Sequence, residues 1–230
     1  VTASCDDDWE KPLIESIVST QDGHKLLMTD CFNKKVKVVD MRHPHTVSAS
    51  PTLKETPRSL ALLPDGLVAV TAGSRVIYLL TVIDTVTVTS CIKTGIQYRG
   101  VGGLSDGTLV VSCRRFYNNG VARVDVVRRS GDVVRTIIDT NTLTQLDEPL
   151  NLCVWNNRHV YKVDISNGQV VNTLNHPQMK YPRQVTVDRS GHVYIASEYG
   201  HCVLVRSAGG QWRDLVNASQ HSDQGYDCPL

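Results

Sequence analysis

Excess charge of either sign is missing from this 230-residue sequence: 24 Lys and Arg stand against 23 Asp and Glu, a formal charge of +1. That balance removes the cheapest argument for a nucleic-acid partner, and no DNA binding is expected. No run of 18 or more apolar residues occurs, so no membrane-spanning helix and no membrane partner is expected. Val1 to Ser19 lacks a basic start followed by an apolar core, and no signal peptide is read there.

The seven cysteines stand singly with no CxxC pair, which argues against a disulfide framework. An odd, dispersed set reads as reduced thiols of a cytoplasmic protein. The sequon Asn217-Ala218-Ser219 points the other way, to an extracellular alternative. Catalytic signatures are also lacking. There is no H-E-x-x-H, and His43 and His45 form a lone loop pair without nearby ligands. The G-x-S-x-G match at Gly103 to Gly107 lies in a hairpin turn instead of a strand-to-helix elbow. No catalytic residue, metal or cofactor is assigned, and the expectation is a protein that is not an enzyme.

What is present is a repeat. Arg183 to Val205 reads as two short β-branched and aromatic strands joined by a tight turn at Ser190-Gly191, with a polar link into a third strand. The same grammar recurs at ESIVSTQDGHKLLMTD, RSLALLPDGLVAVTA and RGVGGLSDGTLVVSC. The turn glycines Gly23, Gly66 and Gly107 are 43 and 41 residues apart, and Gly191 stands 84 further on, twice the same period. A period of ~40–45 residues carrying short strands is that of propeller blades, and the alternation excludes helical solenoids. Pro57-Arg58, Tyr98-Arg99 and Pro182-Arg183 keep a common offset from these turns. Each blade therefore begins at the same place.

The segment TDCFNKKVKVVD (Thr29 to Asp40) resembles the Asp-x-x-Asn-x-x-Val core of an NHL repeat. Ser197 to Val203 is a degenerate copy with Gly200 at the Asn position. The chain most resembles the C-terminal NHL-type propellers of tripartite-motif proteins. The implied fold is all-β, a six-bladed-type propeller in a single domain spanning 1–230. About five blades are represented, at about 15–57, 58–97, 98–149, 150–182 and 183–217, with a sixth incomplete and the termini contributing to closure. Closure would bring Cys5 near Cys228, and no disulfide is expected between them.

The fourth blade is short, because LNLCV runs straight into WNNRHVYKVD. One register leaves about a dozen residues missing between Val154 and Trp155. The other lays LNLCVWNNRHVY directly on RQVTVDRSGHVY, with Asn157-Arg158 as the turn. The gap is preferred, because Trp155 then falls in a linker.

The resemblance implies a non-enzymatic scaffold whose loop face recruits a protein partner for ubiquitin transfer. Ligase activity would need a RING domain outside this chain, because cysteine/histidine clusters and heptads are absent here. Two sets of site residues follow. Repeat symmetry places Arg58, Arg99 and Arg183 around a channel mouth, where they either hold an anion or pair with Asp30, Glu198 or backbone carbonyls. Phe32, Lys34, Lys35, Arg114, Arg115, Phe116, Tyr117, Tyr199 and His201 fall in the links after second strands, as a loop face for a partner or for single-stranded RNA. A free-standing extracellular propeller that binds a sugar or matrix ligand is a further alternative.

Overall fold

The computed structural model describes residues 5–42, 47–49, 51–83, 85–113, 122–139, 148–150, 153–156, 159–164, 166–187, 190–197 and 199–217. Every regular element among them is a β-strand. Two compact units divide the chain, one formed by Val1–Leu152 with Ile165–Gly168, the other by Cys153–Asp164 with Gln169–Leu230.

The first unit holds three four-stranded antiparallel meanders. The first runs β1 (Ile14–Ser19), β2 (Lys25–Asp30), β3 (Lys35–Asp40) and β4 (Val47–Ala49). The second runs β5 (Pro57–Leu62), β6 (Val68–Ala72), β7 (Val76–Val82) and β8 (Val86–Lys93). The third runs β9 (Gly100–Gly103), β10 (Leu109–Cys113), β11 (Arg123–Val127) and β12 (Val133–Asp139), and the short β13 (Glu148–Leu150) follows. In the second unit lie β14 (Cys153–Asn156), β15 (His159–Val163) and β16 (Val170–Asn175), then the meander β17 (Pro182–Val187), β18 (Val193–Ser197), β19 (Cys202–Arg206) and β20 (Trp212–Asn217). The chain is thus all-β and built of propeller blades, each strand antiparallel to the next.

The turn glycines behave as their spacing requires. Gly23, Gly66, Gly107 and Gly191 all adopt positive φ (73°, 81°, 83° and 80°) between the first and second strands of their blades. L-residues enter that region only at a cost, so these are the positions where glycine is needed.

In the fourth blade the chain forms the hairpin without a gap, which corrects the preference for one, although its pairing is one residue off the direct alignment: Val154 pairs with Tyr161, not with Val160. Cys153–Asn156 pairs antiparallel with His159–Val163, and Asn156 faces His159, so two residues remain for the link. The blade is shortened by tight connections and not by the loss of its second strand.

Burial follows strand position. All five residues of β6 and of β10 are buried, whereas Thr87 to Cys91 on the outer strand β8 are exposed. Middle strands are covered on both faces, and this is why VAVTA and LVVSC lack a polar alternation. Leu27, Val36 and Val38 of the first blade join Leu60, Val68, Val70 and Leu80 of the second in one cluster. Ala69, Ile77, Leu79 and Ile92 join Val101, Leu109 and Val111 in another. In the second unit Val160, Leu174, Met179, Ile195 and Leu204 form the core. Each fully buried Val or Leu contributes about 1.5–3 kcal/mol.

Candidate functional site

A β-bulge sets the geometry of the site. The β1–β2 ladder slips between Ile14 and Ser16, and the β5–β6 ladder slips between Pro57 and Leu60. A hydroxyl repairs each break. Ser16 N–H donates to Thr29 Oγ1 at 3.0 Å and Ser59 N–H to Thr71 Oγ1 at 3.1 Å. Those hydroxyls in turn donate to the next blade, Thr29 to Arg58 O at 3.2 Å and Thr71 to Arg99 O at 2.5 Å. The bulged residues are Glu15 and Arg58, and such bulges re-aim the side chains they carry.

Glu15 and Arg58 meet there. Strand β1 packs beside β5 and β5 beside β9. Arg58 Nη1 lies 2.6 Å from Glu15 Oε1, and Arg99 Nη2 lies 3.1 Å from both Glu15 oxygens. Arg58 and Arg99 are 28% and 17% exposed and Glu15 22%. Two guanidiniums therefore converge on one carboxylate in a cluster that is partly buried. Beside them, Cys31 Sγ donates to Pro57 O at 3.0 Å. Burial, reinforced by the Glu15 carboxylate, pushes this thiol up to about 12. It stays protonated at neutral pH and is no nucleophile.

Of the expected arginines, the structure brings Arg58 and Arg99 together, with Glu15 as a shared partner. Arg183 sits at the same bulge in β17, between Pro182 and Gln184, but its side chain and Glu198 lie outside the described residues. Sequence reasoning missed Glu15. It stands eight residues ahead of Gly23, as Arg58 does ahead of Gly66 and Arg99 ahead of Gly107. The offset alone locates it.

The NHL-like motif forms a second, buried network. Asp30 and Asn33 are fully buried, and Asn33 Nδ2 donates to Asp30 Oδ2 at 2.8 Å. Asn33 Oδ1 accepts the N–H groups of Trp9 and Glu10, and Asp30 Oδ1 accepts that of Leu13. The motif thus fastens the segment that leads into β1. Lys37 contacts Asp30 at 2.6 Å and Asp8 at 2.5 Å, while Lys35 contacts Asp7 at 2.6 Å and Asp8 at 3.2 Å.

Lys35 is therefore not part of a loop face: its side chain is 1% exposed beneath the acidic segment CDDDW. Burial disfavours the charged forms of Lys35 and Lys37, yet their carboxylate partners outweigh it and raise both above the ordinary lysine value. Cys5, Asp7 and Asp8 lie close enough to hold a cation, but the ammonium groups of Lys35 and Lys37 already sit on both aspartates.

The remaining link residues are solvent-facing where they are described. Phe32 and Tyr199 each stand two residues beyond the end of their blade's second strand, and they are 50% and 56% exposed. Lys34 and His201, next in each link, are exposed and adopt positive φ (51° and 49°). Tyr199 packs edge-to-face on Tyr181, with ring centroids 4.7 Å apart. Ser197, at the Asp30 position, fastens its own lead-in segment by accepting Lys180 N–H at 2.8 Å. Arg114, Arg115, Phe116 and Tyr117 lie outside the described residues, as do His43, His45 and Cys228. Among the described residues Cys5, Cys31, Cys91, Cys113 and Cys202 are free thiols.

No family model matches the chain, and no curated protein does. Solved structures do. A nidogen/laminin complex is similar at TM-score 0.68, with 14% identity over 86% of this chain and 77% of that one. A protein of unknown function from Bacteroides caccae is similar at 0.64, with 13% identity over 89% and 82%. Virginiamycin B lyase from Staphylococcus aureus is similar at 0.55, with 12% identity over 88% and 69%. At these identities the likeness shows the fold alone, a β-propeller.

Proposed function

We propose that the chain is a non-enzymatic binding module that holds an acidic segment of a protein partner at Arg58 and Arg99. The observation that carries this reading is the convergence of two partly exposed guanidiniums, Arg58 and Arg99, at the starts of neighbouring blades. Guanidinium forks match a carboxylate in geometry and charge, and a partner's acidic side chain would compete with Glu15 for the same forks. The raised pKa of Cys31 argues in the same direction, since this thiol beside the cluster is held in its unreactive form.

The finer reading follows from the Asp30/Asn33 motif and its resemblance to tripartite-motif propellers. In it the partner is a protein presented for ubiquitin transfer by a catalytic domain outside this chain, in the cytoplasm. The free thiols suit that compartment.

The test is binding of a fluorescent glutamate-rich peptide to the full chain and to Arg58→Ala and Arg99→Ala variants. Losing a charge-assisted hydrogen bond is worth about 1.5–3 kcal/mol, so each variant should bind about tenfold more weakly or worse. Peptide affinity unchanged in both variants removes the cluster from the account. Single-stranded RNA, assayed at two salt concentrations, is the competing ligand. If RNA binds more tightly than the peptide and its affinity falls steeply with salt, the nucleic-acid reading replaces this one.

A further inference from the structure

We infer that two copies of the chain associate edge to edge through strand β8, the outer strand of the second blade, in an antiparallel two-fold pair. Strand β8 is hydrogen-bonded to β7 and ends its sheet. Its other edge carries the N–H and C=O groups that point away from β7, a template for one more strand.

Natural sheets protect such edges with charge, proline or brevity, and three of the other four described outer strands do so. Strand β4 has three residues. Strand β12 carries Arg135 and Asp139, and β20 carries Arg213 and Asp214. Strand β16 contains Asn172 and Asn175, residues that strands disfavour. Strand β8 is eight residues long and reads VTVTSCIK, with neither charge nor proline from Val86 to Ile92. Thr87 to Cys91 are exposed. Among the described residues the neighbouring blade meets its far end, where a Cβ on Gly131 would stand 2.2 Å from Lys93 O.

Charge selects the occupant. The single charge of β8, Lys93, is terminal, and in a two-fold antiparallel pair it lies at the opposite end from its counterpart. No like charges face each other, and a net charge of +1 gives little repulsion between copies. An acidic or basic partner strand would find nothing complementary between Val86 and Ile92. Isologous pairing also closes, giving a dimer and no fibre. One strand pair covers less than a standard interface of about 1,600 Å², so the dimer is weak and concentration-dependent.

Sedimentation velocity of the full chain over a wide concentration range tests this, together with hydrogen exchange of the β8 amides at low and high concentration. The expected result is a monomer–dimer equilibrium, with slower exchange at Thr87 to Cys91 as dimer forms. Ser90→Lys, placing like charges next to the two-fold axis, should weaken association about tenfold or more and leave the melting temperature unchanged. A monomer at every concentration overturns the inference. So does a dimer whose β8 amides exchange no more slowly than the monomer's, or growth beyond two copies. The exchange experiment uses the unaltered chain, so it decides the matter even if Ser90→Lys does not fold.

Discussion

Glu15 and Arg58 occupy the same position in consecutive blades, each eight residues ahead of its turn glycine, and their side chains meet at 2.6 Å. A repeat position has reversed its charge so that one blade neutralises part of the next. Replacing Glu15 by Gln should therefore cost some stability, because Arg58 and Arg99, both mostly buried, lose the carboxylate they share. Affinity for the glutamate-rich peptide should rise, since a competing carboxylate is gone. Denaturant titration and peptide binding on the same sample check both halves. A fall in affinity would mean that Glu15 orients the arginines for the ligand and does not compete with it.

The buried pair behaves differently. Asp30→Ala would break one buried ion pair of Lys37, leaving it Asp8, and would take the acceptor from the Leu13 and Asn33 N–H groups. The expected loss is about 3–5 kcal/mol. Arg42→Ala breaks a pair with Asp40 in which the arginine is 59% exposed, and should leave stability nearly unchanged. Urea unfolding of the two variants tests the contrast, and equal losses would refute it.

How far the sequence discloses these features depends on what each needs. The hairpin glycines are legible because positive φ has a residue signature and the period repeats it. Lys35 and Lys37 are not. In KVKVVD the alternation reads as a solvent face, and nothing local announces that Asp7 and Asp8, almost thirty residues earlier, return to cover it. Glu15 is legible by offset and was obscured by its sign. The fourth blade misleads because a two-residue link leaves no room for the aspartate and glycine that mark the other turns.

Acid should unfold the protein through the same network. Burial pushes the Asp30 carboxyl up, but hydrogen bonds from Lys37, the Asn33 side chain and the backbone N–H groups of Asn33 and Leu13 outweigh it and hold the group below the usual range. Asp8 is depressed in the same way, with burial again opposed by Lys37, the Cys5 N–H and Lys35. A depressed carboxylate contributes stability that is complete above its unfolded value and is lost as pH falls through the folded one. Lys35 and Lys37, raised, add stability that is lost only as pH climbs through their folded values. Melting temperature should be flat around neutrality and fall in acid below the ordinary aspartate range. Asp30→Asn should flatten that acid limb. An unaltered acid limb in Asp30→Asn would show that other carboxylates control it.

Two glycines of the same backbone class should respond unequally to a methyl group. Gly66 has φ 81°, with no heavy atom within 4 Å of where a Cβ would lie, so Gly66→Ala costs only the left-handed backbone penalty, about 1–2 kcal/mol. Gly131, at φ 95°, turns the β11–β12 hairpin directly against the end of β8, and its Cβ would stand 2.2 Å from Lys93 O and 3.5 Å from Ile92 Cγ2. Backbone cannot yield as a flexible side chain does, so Gly131→Ala should cost the same penalty plus about 1–3 kcal/mol of overpacking. Chemical denaturation of both variants measures the difference. Equal losses would mean that the third blade's outer hairpin does not press on the second, and that the edge of β8 is open along its whole length.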